Sequence, residues 1–84
     1  MHEWPAWWEY EVVLSPHAIE RMQDRDLSEA DLRAMLEDAA AHRHAVLPGR
    51  FVITTNLAGT PWEVVVEPDH PRRGLIIVTA YRVE

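Results

Sequence analysis

Apolar and polar positions change their period once along the chain, dividing it into a largely helical part and an extended part. From Glu9 to Leu14 they alternate, with Tyr10, Val12 and Leu14 on one side and Glu9, Glu11 and Val13 on the other, which predicts a short strand. Ser15-Pro16 ends it: serine is an N-cap, and proline at the first helical position loses an N–H that would have had no partner. A helix is predicted from Pro16 to Asp24. A second start follows at Leu27-Ser28-Glu29-Ala30-Asp31-Leu32, where Ser28 caps, Asp31 reaches back to it and Leu27 staples against Leu32. Leu32, Met35, Leu36 and Ala39 continue at helical spacing, so this helix is expected to run from Ser28 to about Ala41 with one buried face.

Beyond Ala41 the pattern is extended. His44–Leu47, Arg50–Thr55, Trp62–Glu67 and Leu75–Val83 are rich in branched and aromatic residues, and each gap between them holds turn formers such as Pro48-Gly49. Short gaps imply hairpins. The expected fold class is therefore α+β, with two N-terminal helices packed on one face of an antiparallel sheet of about four strands. The head from Met1 to Trp8 carries Trp4, Trp7 and Trp8. Three wet indoles would forgo much favourable burial, so this arm is expected to pack back beside Tyr10 or Trp62, or to form a contact surface.

Composition narrows the function classes. The 84 residues contain no cysteine and fit a single domain, 48% hydrophobic, with no apolar run long enough to span a membrane and no basic-then-apolar start. A cytoplasmic, membrane-free protein is expected. All 8 basic residues are arginine, and the formal charge of −6 lacks the basic footprint of proteins that hold naked nucleic acid.

Chemistry has few places to reside. At about 100° per residue, Ala18, Ile19 and Met22 form the buried stripe of the first helix, and His17, Arg21 and Arg25 form a polar strip along its border. That strip is either a solvated face whose arginines pair with Glu20 or Asp24, or one wall of a site at the sheet edge. On the last strand Ile76, Val78 and Ala80 face one way and Ile77, Thr79, Tyr81 and Val83 the other. With the smaller set under the helices, Thr79 and Tyr81 open onto the opposite face, although strand propensity alone also accounts for them. His42 and His44 share one side of a strand, but two imidazoles are too few for a closed zinc site. Glu63 and Glu67 also share a side, separated by roughly 13 Å, too far to flank one scissile bond. No cofactor or metal is expected, since phosphate loops, dinucleotide fingerprints, nucleophile elbows and CxxC pairs are all absent.

The run from Leu14 to Leu32, with His17-Ala18, Arg21-Met22, Arg25 and Leu27-Ser28 in the pattern H-A-x-x-R-M-x-x-R-x-[IL]-S, resembles the opening of the DUF4258 family. Leu75 to Tyr81 resembles its closing strand, and the likeness spans about Ser15 to Val83. The resemblance implies a RelE-like fold, within the RelE and BrnT group of small ribonucleases, and toxin-type cleavage of RNA without metal. In that chemistry the 2′-hydroxyl attacks, so a base, a cation for the phosphorane and an acid for the leaving oxygen are required. Carried over, His17 is the acid/base, Arg21 and Arg25 are phosphate clamps, and Thr79 and Tyr81 are sheet-side donors. The partners implied are an RNA substrate and an antitoxin or immunity protein, or a second copy. The alternative is a non-catalytic module that keeps the fold and binds protein through its tryptophan-rich arm and acidic surface. The acidic balance and the tryptophan head both depart from the family pattern.

Overall fold

The computed structural model describes residues 4–83. A 3-10 turn at Ala6–Glu9 leads into β1 (Glu11–Leu14), α1 (Pro16–Asp24), α2 (Glu29–Glu37), β2 (Ala41–His44), β3 (Phe51–Leu57), β4 (Thr60–Asp69) and β5 (Gly74–Arg82). The five strands form one sheet in the order β1-β5-β4-β3-β2. Both helices lie on the same face, α1 against β5 and α2 against β3. The other face carries no helix among the described residues. No described helix is long and apolar enough to cross a membrane.

Both helix starts follow their sequence signals. Ser15 Oγ accepts from Ala18 N–H at 3.0 Å and also donates to the Ile77 carbonyl at 2.8 Å, tying the start of α1 to β5. Ser28 and Asp31 form the reciprocal capping box at 3.0 and 3.1 Å, and Leu27 and Leu32 are both buried. Ala18 and Met22 enter the core as expected, but Ile19 is 42% exposed, because α1 meets the sheet along the Ala18–Met22 line.

The sheet corrects the sequence reading in three respects. It is mixed and five-stranded, because β1 pairs in parallel with β5 while all other pairs are antiparallel. Hairpin reasoning applies to β2 through β5, but β1 reaches the sheet through the two helices and can therefore lie parallel. The second helix ends at Glu37 rather than near Ala41, and β2 starts where that helix was expected to finish. Alanines there satisfy a helical period, yet β3 captures them: Ala40 N–H donates to the Thr54 carbonyl at 2.8 Å, and Thr55 donates its hydroxyl to the Met35 carbonyl. The segment expected as a strand over His44–Leu47 then leaves the sheet after His44, exposing Val46 and Leu47.

A further correction concerns β5. Thr79 lies opposite Val65 and Ile77 opposite Val66, which leaves Val78 without an opposite residue, a β-bulge. The alternation resets there, so Leu75, Ile77 and Ala80 all face the core and Ile77 is separated from Thr79 and Tyr81.

The tryptophans are used within the domain. Trp4 stacks on Trp8 at 4.4 Å, Trp7 is buried against Phe51 at 4.7 Å, and the His42 ring lies 4.9 Å from Trp4. Residues 1–3 of the arm, and residue 84 at the other end of the single domain read from the sequence, lie outside the described residues.

Candidate functional site on the open face of the sheet

Strand alternation decides which side chains reach the uncovered face. On β4, Trp62, Val64 and Val66 enter the core, so Glu63, Val65 and Glu67 point the other way. Their neighbours across the ladder are Val52 and Thr54 on β3, Arg43 beyond them on β2, and Ile76, Thr79 and Tyr81 on β5. The result is an apolar floor crossed by two charged groups.

The first group is closed on itself. Arg43 donates from Nη1 and Nη2 to the two Glu63 oxygens at 3.1 and 3.3 Å, and the Tyr81 hydroxyl donates to Glu63 Oε1 at 2.7 Å. The Arg43 hydrogen bonds, then that of Tyr81, hold the Glu63 carboxyl below the usual carboxylate range. Tyr81 is pushed up, first by burial and then by its bond to Glu63, and Arg43 is raised mainly by the Glu63 carboxylate. With both terminal nitrogens engaged, Arg43 acts as a cross-strand clasp.

The second group is open. Arg50 donates from Nε to Glu67 Oε1 at 2.9 Å, and its two terminal nitrogens have no hydrogen-bond partner among the described residues. Arg50, Glu67 and His17 line one cavity of about 360 Å³, together with Ser15, Ile76 and Val78. An adjoining hollow of about 330 Å³ is bordered by Arg43, Arg50, Val52, Val65 and Tyr81. Arg50 thus stands between the two.

The residues expected from the sequence are distributed along this face and its rim. His17 is exposed and reaches the open face beside Val78; Tyr81 and Thr79 also face it. Arg25 meets Tyr81 at a third and larger cavity of about 720 Å³, at the end of β5, which Asp24, Asp26 and Arg82 also line. Arg21 is exposed, lines none of these three, and gives its carbonyl to Arg25 Nη1 at 3.3 Å. His17 and Tyr81 therefore share a face but not a cavity. His42 and His44 share one side of β2, as their spacing implied, but that side faces Trp4, Trp7 and Phe51. No group of three metal-ligating side chains gathers among the described residues.

Arg43, Arg50, Glu63 and Glu67 were not singled out as a site by the sequence reading, although a signal was present. Ala58-Gly59 is a two-residue turn with both φ angles positive, 50° and 82°, and it sets Leu57 opposite Thr60. Counting outward from that register brings residue 50 opposite residue 67.

The profile of a family described as a domain of unknown function (DUF4258) matches residues 14–82. This chain belongs to the DUF4258 family. Within it, the DUF4258 pattern takes in everything from α1 to β5, and leaves out the tryptophan-bearing turn and all of β1 except Leu14. No curated protein matches the chain, and no solved structure does.

Proposed function

We propose that this DUF4258 domain is a toxin-type ribonuclease of RelE-like kind that cleaves RNA in the cytosol without metal, on the open face of its sheet. One observation carries the reading: a single cavity holds an imidazole, a carboxylate and a guanidinium with unused N–H groups, His17, Glu67 and Arg50. These are the types of group that transphosphorylation requires. One of His17 and Glu67 removes the 2′-hydroxyl proton, O2′ attacks phosphorus, and the other protonates the departing 5′-oxygen. The products are a 2′,3′-cyclic phosphate and a free 5′-hydroxyl. Arg50 meets the phosphorane through its terminal nitrogens while Nε stays on Glu67. His17 keeps the role that family likeness suggests, and Arg50 takes the clamp role in place of Arg21. Tyr81 and Thr79 border the strip the next nucleotide would follow.

The test is cleavage of a short single-stranded RNA by the purified chain, with and without EDTA. His17→Ala and Arg50→Ala should each lower the rate by about 10²-fold or more. A substrate with 2′-deoxyribose at the cut site should be inert, and EDTA should change nothing. Full cleavage by His17→Ala would overturn the assignment. A second reading, a non-catalytic protein-binding module, is supported by the net charge of −6 and by exposed Val46 and Leu47 beside the apolar floor. It gains ground if no RNA is cut.

A further inference from the structure

Of the two hollows that meet at Arg50, the one of about 330 Å³ has a different chemistry from the cavity that holds His17 and Glu67. Its floor is Val52 and Val65, which lie directly opposite one another on β3 and β4, and its rim is Val46-Leu47, the exposed apolar part of the loop between β2 and β3. Its charges are mostly paired. Arg43 borders the hollow, but Glu63 takes a hydrogen bond from each of its terminal nitrogens, so it does not offer a phosphate the open guanidinium that Arg50 does. A flat, uncharged and partly apolar group fits such a lining.

Tyr81 supplies the polar contact. It belongs to β5, two strands away from Val52 on β3, so the part of it that reaches this hollow is the outer end of its side chain. A phenol can both donate and accept, but this one gives its proton to Glu63 Oε1 at 2.7 Å, and the Arg43 hydrogen bonds keep that carboxylate charged. What remains for a ligand is an acceptor.

We propose that this hollow is a nucleobase subsite selecting adenine or cytosine, with the base lying on Val52 and Val65 and its exocyclic amino group donating to the Tyr81 oxygen. Guanine and uracil carry a carbonyl where these two bases carry that amino group, so they would set two acceptors against each other. A contact left unpaired in this way discriminates more firmly than a small difference in size. Arg50 borders both hollows, so a phosphate on its terminal nitrogens and a base over the two valines belong to one nucleotide. The proposal rests on the reading of this face as an RNA site and adds the identity of the base beyond the leaving 5′-oxygen.

The experiment is NMR titration of the full chain with four mononucleotides that it has no bond to cut in, 5′-AMP against 5′-IMP and 5′-CMP against 5′-UMP. AMP differs from IMP at the amino position, and CMP from UMP likewise. Each amino-bearing nucleotide should bind about fivefold more tightly than its carbonyl counterpart, and should shift the methyl signals of Val52 and Val65 but not those of Leu36 on the helical side. Tyr81→Phe should weaken AMP to the level of IMP and leave IMP unchanged, whereas a loss of structure would weaken both; Arg33→Ala on α2 should change neither. Equal affinities for AMP and IMP in the wild type would overturn the proposal, as would a preference that survives Tyr81→Phe, valine methyls that do not respond, or no binding at millimolar nucleotide. RNA cleavage is read separately. Cleavage indifferent to the base after the cut would remove the subsite and leave the ribonuclease, while amino-selective binding without cleavage would leave the subsite and remove the ribonuclease.

Discussion

Ser15→Ala should destabilise this domain about twice as much as Ser28→Ala, although both remove a helix N-cap. The Ser28 hydroxyl accepts from Asp31 N–H on an exposed turn, and nothing else depends on it. Its loss is an ordinary cap deletion costing about 1 kcal/mol. The Ser15 hydroxyl accepts from Ala18 N–H and also donates to the carbonyl of fully buried Ile77. Alanine there removes the cap, about 1 kcal/mol, and also strands a carbonyl inside the domain, about 1 kcal/mol more. The sum of about 2 kcal/mol corresponds to a fall in melting temperature of roughly 8–16 °C for a domain of this size, against roughly 4–8 °C for Ser28→Ala. Urea unfolding followed by far-ultraviolet circular dichroism measures both variants, and the slopes should match wild type if each remains two-state. Equal losses in the two variants would refute the claim that Ser15 joins α1 to β5. The point bears on the site, because Ser15 and His17 line the same cavity.

Acid should weaken the fold through Glu63. Its carboxyl is held below the usual range, so its contribution is present above the unfolded-state value and is lost as pH falls through the lowered folded value; Glu63→Gln should flatten that acid limb in unfolding curves recorded across pH. Tyr81→Phe removes one of the two donors to the same carboxylate, so it should move the limb to higher pH than in wild type, as read by NMR titration of the Glu63 side chain. Ala58 holds a left-handed φ of 50° beside Gly59, and Ala58→Asn should raise stability by about 0.5–1 kcal/mol by supplying the preferred residue for that turn. Iodide should quench Trp4 and Trp8 partially and Trp7 and Trp62 hardly at all; free access to all four would contradict their packing.

The parts of the fold legible in the sequence were those fixed by neighbours in the chain. Ser15-Pro16 and Ser28 with Asp31 define helix starts within four residues, and both appear where expected. The end of α2 is set instead by Thr54 and Thr55, through bonds to Ala40 and Met35 that lie fourteen and twenty positions back in the chain. The parallel placement of β1 likewise depends on where both helices bring the chain. For the site, Thr79 and Tyr81 lie on the face away from the helices, but of the set expected beneath the helices only Ala80 is there: Ile76 and Val78 line the open-face cavity and Ile77 enters the core, because a bulge at Val78 leaves no mark in the apolar pattern. Arg50 and Glu67 lie seventeen residues apart and meet only once the Ala58-Gly59 turn has fixed the register.

The unpaired Val78 also bears on how the length of this chain could change. If that residue were deleted, Ile77 and Thr79 would become neighbours opposite Val66 and Val65, and β5 would alternate without interruption. Every remaining side chain would keep its face. A deletion at Val65 would not be absorbed in this way: either Trp62 and Val64 or Val66 would be thrown out of the core, and Glu63 or Glu67 drawn in. Single-codon loss should therefore be survivable at Val78 and ruinous directly across the ladder. The bulge makes this position one where the strand can gain or lose a residue while its buried and exposed sets stay apart.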